Sequence, residues 1–243
     1  MKELRNIFKK YKYVCFLDFE ATQFDHQLIA LGGVMVKVNT DGTLGKEKNG
    51  IFAYVKTKSS IGSLVRKLTG INEKMLQEQG IEFENSINKI KAYCGSDLSS
   101  TLFTTFGPND LLILRDTYAK QKIKDMSFLY FIKSNYLDLQ SFISKYIRSP
   151  KGTNYSLYNM VKLYNLEKQG TEHNPLSDAI NLKNLAKAFD INQEIFITNY
   201  LNLLLRYSKA PAPIIKLLRK LNKTKDSVTY EEFISFIKEQ FND

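Results

Sequence analysis

The chain has 243 residues, 43% hydrophobic and 25% charged, a composition that suits a globular protein with one sizeable core. No apolar run approaches the roughly 18 residues that a membrane span needs, and the first 13 residues are charged throughout, so we expect an intracellular, cytoplasmic protein with no membrane partner. The formal net charge of +10 favours polyanionic partners, nucleic acid first, and with two cysteines and two histidines a Cys/His zinc site is nearly excluded.

The first predicted element, "YVCFLDF", is apolar on both alternating faces and fits a central strand buried on both sides. Residues Gln27 to Val38 read as a second strand, in which Gly32 and Gly33 mark a bulge or a close approach of backbone. "NTDGTLG" is a hairpin turn carrying an Asp-Gly pair, and Gly50 to Lys56 returns as a third strand, giving an antiparallel meander. Helices are predicted around Ser60 to Leu68 and from Asn72 to Gln79, with Asn72 as cap and Gly80 as stop. Phe83, Ile87, Ile90 and Tyr93 recur at helical spacing, and "STLFTTFG" is a fourth strand. "NDLLILRDTYAKQK", "YLDLQSFISKYI" and "SLYNMVKLYNL" read as helices. The clearest helix is "HNPLSDAINLKNLAKAFD", where Asn174 suits the N-cap and Pro175 the first turn. Past Phe189 the pattern stays helical, broken by "APAP", with seven basic residues and no acidic one from Arg206 to Lys225.

Four acids and a histidine stand out. Asp18 and Glu20 are two apart on a strand and so share a face, with Cα atoms about 6.5–7 Å apart. Two carboxylates on one face repel unless a proton or a cation sits between them, and hard cations prefer such oxygens; a hydrated strand end is the alternative. At about 100° per residue, Asp178 falls within the apolar stripe of Leu182, Leu185, Ala186 and Phe189, where an unpaired charge is costly; it also suits the positive end of its helix. His173, five residues earlier, can reach the same locus and has the titration range of a general base, or is a plain loop histidine. Asp110 opens the helix after "TFGPN", where a capping role is the alternative. His26 is read as structural or surface.

The combination of Asp18-x-Glu20, Asp110 in "FGPND" and His173-x4-Asp178 resembles the DEDDh 3′-to-5′ exonucleases. "LVRKLTGIN" and "YLDLQSF" also look like segments of that family, and the likeness covers roughly residues 10 to 190. "LDFEAT" brings it nearest to the histone-mRNA and interfering-RNA type exoribonucleases and the bacterial sporulation-inhibitor exonucleases. Phe106 stands where Trp is usual in the family, and Pro175 where Ala is common.

The resemblance implies an α/β, ribonuclease-H-like fold: a mixed five-stranded sheet flanked by helices. It implies an exonuclease domain, placed at residues 1–190, whereas the basic helical extension over 191–243 is read from the change in composition and has no counterpart in the family. It further implies two divalent ions, Mg²⁺ or Mn²⁺, with Asp18, Glu20 and Asp178 on the first, Asp18 bridging to the second and Asp110 in the outer shell. His173 would be the general base. Ala21 and Thr22 would meet the terminal sugar through the backbone, and Phe24 or another apolar side chain would stack near the last base. The partners implied are single-stranded RNA or DNA 3′ ends, RNA favoured, and the products nucleoside 5′-monophosphates. The alternatives are a non-catalytic nucleic-acid-binding scaffold, a DNA proofreading-type exonuclease and, since "DFEAT" echoes D-x-D-x-T, a haloacid-dehalogenase-type phosphatase. The basic stretch with Lys216, Arg219, Lys220, Lys223 and Lys225 is read as a phosphate-backbone contact, a solvated helix face or a protein-docking arm.

Overall fold

The computed structural model describes residues 1–206 and 210–239, and Lys209 of the basic run lies outside them. The chain divides into two compact units, one of Met1–Phe142 with Tyr155–Ile191, the other of Ile143–Asn154 with Asn192–Asp243.

The first unit opens with helix α1 (Lys2–Phe8) and then builds a sheet from β1 (Tyr13–Ala21), β2 (Leu28–Val38), β3 (Leu44–Glu47), β4 (Ile51–Tyr54), β5 (Thr101–Thr105) and β6 (Tyr136–Asp138). The strand order is β3-β2-β1-β5-β6, with β4 also paired to β2. β1, β2, β3 and β4 pair antiparallel, whereas β5 joins β1 and β6 joins β5 in parallel. The mixed sheet therefore has six strands rather than the expected five. The expected third strand, Gly50 to Lys56, forms as β4, and β3 is an additional strand directly after the Asp-Gly turn; both pair with β2, with residues 48–50 between them. The Asp-Gly hairpin forms as expected, with Gly42 at φ 86°.

Helices α2 (Ser63–Thr69), α3 (Glu73–Gln79), α4 (Phe83–Cys94), α5 (Asn109–Lys120) and α6 (Ser127–Ser134) come between the strands, then α7 (Leu139–Ser144), α8 (Leu157–Leu163) and α9 (Pro175–Ile191). Asn72 caps α3 as expected, accepting from the Met75 N–H. Because side chains alternate along a strand, Cys15, Leu17 and Phe19 enter one core with Phe83, Ile87 and Ile90 of α4, Leu114 of α5 and Phe128 of α6. The other face of β1, which carries Asp18 and Glu20, packs against α9. Leu182, Leu185, Ala186 and Phe189 of α9 are buried, in keeping with the apolar stripe.

β6 corrects a second expectation. The pattern of "YLDLQSFISKYI" predicts a helix throughout, but Tyr136–Asp138 is a strand and α7 starts only after it. Three residues are too few to show alternation, so the helical period of α7 masks the strand. Asp138 makes the break: its carboxylate accepts from the N–H and hydroxyl of Ser141, and from the N–H of Gly107 in the turn after β5.

In the second unit, α10 (Gln193–Leu204), α11 (Ala212–Thr224) and α12 (Tyr230–Lys238) come in turn, and Phe196 and Tyr200 of α10 pack on Tyr146. Three of the five named basic residues in and just after α11 pair with acids. Lys216 pairs with Glu239, Lys220 with Glu232, and Lys225 with Glu194 at 3.5 Å. These are exposed or half-exposed, solvent-screened pairs that leave the three readings of the basic stretch open. No helix among the described residues is long and apolar enough to cross a membrane.

Candidate active site

One close approach creates the site. Gly32 stands opposite Asp18 in the β1–β2 ladder, and a Cβ built there would fall 2.1 Å from the Leu176 nitrogen and the Pro175 carbonyl carbon. The missing side chain lets the first turn of α9 rest on β2 next to Asp18. Asn174 caps that turn, accepting from the Ser177 N–H at 3.1 Å, and Pro175 occupies the first helical position. Asp178 lies within the same turn. The glycine pair thus resolves as a close approach, while the ladder's irregularity falls at Glu20/Ala21.

Oxygens of Asp18, Glu20 and Asp178 all lie within 4.8 Å of one another. His173 sits in a left-handed conformation, φ 62°, and its N–H donates to Asp178 Oδ2 at 2.9 Å, so the turn that presents the imidazole is tied to the carboxylate. Its Nδ1 lies 3.5 Å from Glu20 Oε1, and the ring is 44% exposed, open to a small reactant. Asp110 is in the first turn of α5 but does not cap it. Its Oδ1 accepts the Phe19 N–H at 2.9 Å, between the two acids of β1.

The acids crowd one another in a poorly solvated place. Burial pushes Asp18 well above the ordinary carboxylate range, and the charges of Asp110, Glu20 and Asp178 push it further. Burial, then Asp178 and Asp110, raise Glu20 to about 8. Burial raises Asp110 to about 7, against the hydrogen bond from Phe19 that favours its charged form. Burial also raises Asp178, opposed by the His173 N–H and by Asn181. An all-oxygen donor set that is costly to ionise in the bare protein, with its oxygens already converged, fits a hard divalent cation.

These residues line one cleft of about 590 Å³. Ala21 lines it too, whereas Thr22 and Phe24 are not among its lining residues. Thr22 is buried and closes the turn between β1 and β2: its N–H donates to the Gln27 carbonyl and its hydroxyl accepts the Gln27 N–H. Phe24 is 74% exposed. His26 is exposed, with Nδ1 3.6 Å from Asp116. Phe106, Asn109, Gln140, Tyr158, Lys168 and Asn181 also line the cleft, and nothing in the sequence marks them as a group. Of these, Asn181 carries a signal, being a polar side chain three residues after Asp178 on the same stripe; it is buried and brackets Gln169, accepting its N–H at 2.9 Å and donating to its carbonyl at 3.1 Å.

Residues 15–186 match the RNase_T family, described as Exonuclease, and the chain belongs to that family. Similar solved structures include a full-length 3′-exonuclease at 17% identity and TM-score 0.60, covering 76% of this chain and 62% of that one. The nuclease domain of 3′hExo, a DEDDh family member bound to rAMP, matches at 18% identity and TM-score 0.60, covering 76% of this chain and 93% of that one. E. coli Exonuclease I in complex with a dT13 oligonucleotide matches at 12% identity and TM-score 0.56, covering 79% of this chain but only 43% of that one. These likenesses establish the ribonuclease-H-like fold. A comparison with curated proteins finds no match.

Proposed function

We propose that the protein is a metal-dependent 3′-to-5′ exonuclease that removes nucleoside 5′-monophosphates from single-stranded ends, RNA in preference to DNA. The observation that carries this is the convergence of Asp18, Glu20 and Asp178 within 4.8 Å beside His173, in a family of exonucleases. We assign the catalytic domain to residues 1–190 and treat 191–243 as an appendage.

In this reading Asp18, Glu20 and Asp178 would hold Mg²⁺ or Mn²⁺, with Asp110 supporting them. Two divalent ions supply an activated nucleophile and relief of charge on the transferring phosphoryl group. His173 takes the proton of the attacking water at its imidazole, a role suited to a ring that is part-exposed and anchored through its backbone to Asp178. Glu20, 3.5 Å from Nδ1, stabilises the imidazolium that results. The Asp110–Phe19 hydrogen bond fixes the strand between the two acids of β1. The preference for RNA rests on the "LDFEAT" motif and on the likeness to 3′hExo, a protein crystallised with rAMP; the likeness to an enzyme bound to dT13 speaks for DNA.

The test is digestion of matched 5′-labelled RNA and DNA oligonucleotides with Mg²⁺, Mn²⁺ or EDTA. A descending ladder abolished by EDTA is expected, faster on RNA. An undegraded substrate in both metals would favour the non-catalytic scaffold, and a faster DNA ladder the proofreading-type alternative.

A further inference from the structure

On the footing that the protein is an exonuclease, the geometry points to Lys168 as the residue that grips a backbone phosphate upstream of the scissile one, and so makes the site prefer a polynucleotide strand to a mononucleotide ester. The cleft presents Asp18, Glu20, Asp110, Glu172 and Asp178 to a polyanion, and Lys168 is the single lysine or arginine among its described lining residues. A strand entering such a wall of carboxylates meets repulsion everywhere except at bound ions and at this ammonium.

Lys168 is held for the task. Its Nζ lies over the ring of Tyr158, 5.2 Å from the centroid, on the first turn of α8. The next residue, Gln169, is clamped on both its N–H and carbonyl by buried Asn181 of α9, the helix that carries Asp178. The ammonium also lies 3.7 Å from Glu172 Oε2, at a side-chain exposure of 33%. That pair is loose and solvent-screened, so exchanging Glu172 for a phosphate oxygen costs little. Its anchors are Tyr158 and Glu172, on the wall of the cleft, whereas the scissile phosphate belongs at the converged oxygens of Asp18, Glu20 and Asp178. The charge of Lys168 is also felt at Asp178, so the phosphate assigned to it is the one next to the scissile phosphate, and an ester that carries the scissile phosphate alone separates the two.

The test compares wild type with Lys168→Ala, Lys168→Gln and Lys168→Arg on a 5′-labelled single-stranded homopolymer and on the p-nitrophenyl ester of thymidine 5′-monophosphate, which carries the scissile phosphate alone. On the homopolymer the Ala and Gln variants should raise KM about tenfold with kcat within about twofold. The slope of log binding constant against log salt should shrink by about 0.7, the loss of one phosphate contact on a single strand. Arg should restore both, and none of the three should alter kinetics on the ester. Unchanged KM and salt slope in Lys168→Ala would overturn the assignment, as would a loss in kcat with KM retained, or an equal loss on the ester. A wild-type protein inert on both substrates would refute the exonuclease reading itself, which is a different result from any of these.

Discussion

Gly32 supports Pro175: a Cβ on the glycine would lie 2.1 Å from the proline's carbonyl carbon, and the same glycine faces Asp18 across the β1–β2 ladder. A missing side chain on one strand thus sets the distance between Asp18 and Asp178, carboxylates from opposite ends of the exonuclease domain.

Gly32→Ala should push the first turn of α9 away from the sheet, because the atoms it meets are backbone. The expected cost is about 1–3 kcal/mol of stability, with a larger fractional loss of activity as Asp178 moves off Asp18 and Glu20. Thermal unfolding and turnover of the variant check this, and wild-type values for both would show that the contact does not position the site.

Asp18→Asn should stabilise the metal-free protein while abolishing hydrolysis. Burial and three neighbouring acids disfavour the charged carboxylate, so folding must return to Asp18 a proton that the unfolded chain has released at neutral pH, and the neutral amide avoids that cost. In EDTA the variant's Tm should rise by roughly 2–4 °C, the shift that about 1 kcal/mol gives at this size, and the gain that Mn²⁺ gives the wild type should vanish. A lower Tm in EDTA would mean that Asp18 is satisfied without a cation.

The pH dependence of the metal-free protein arises from the same crowding. Glu20 at about 8 and Asp110 at about 7 keep protons in the folded state that the unfolded chain, with carboxyl values near 4, has released. Folding then binds protons, so stability should fall as pH rises from about 5 to 8. The carboxylates with lowered values, such as Asp25, Asp41 and Asp125, act in the opposite sense and only at more acidic pH. Tm in EDTA should drop on the order of 5 °C across that interval, and the gain on adding Mn²⁺ should grow with pH, since binding needs the carboxylates ionised. A flat Tm profile would contradict the shifts.

His173→Ala should lower kcat by about 10²–10⁴ while leaving the metal-induced gain in Tm in place, because only the imidazole is removed and the N–H to Asp178 remains. Retained turnover would remove His173 from the proton transfer, and a lost Tm gain would make it part of the ion site.

The acids are legible in the sequence because their types and local settings are unusual: two on a buried strand, one within the apolar stripe of a helix. The capped start of α9 is legible through Asn174-Pro175. Features that depend on long-range placement are hidden. β6 is too short to show a period, and Asp138 fixes it through Gly107, which is 31 residues away. Asp110 has the local look of a cap and instead holds the Phe19 N–H across 91 residues. Thr22 stands directly after the first motif, yet the β1–β2 turn buries it. Lys168 reads as one lysine among many until Tyr158 and the clamp on Gln169 place it on the wall of the cleft.

The most direct measurement is anomalous diffraction from a crystal soaked in Mn²⁺. Manganese peaks are expected within about 2.2 Å of carboxylate oxygens of Asp18, Glu20 and Asp178, the spacing of a hard divalent ion on such ligands. A well-ordered cleft with no peak among those three side chains at saturating Mn²⁺ would contradict the metal-dependent mechanism.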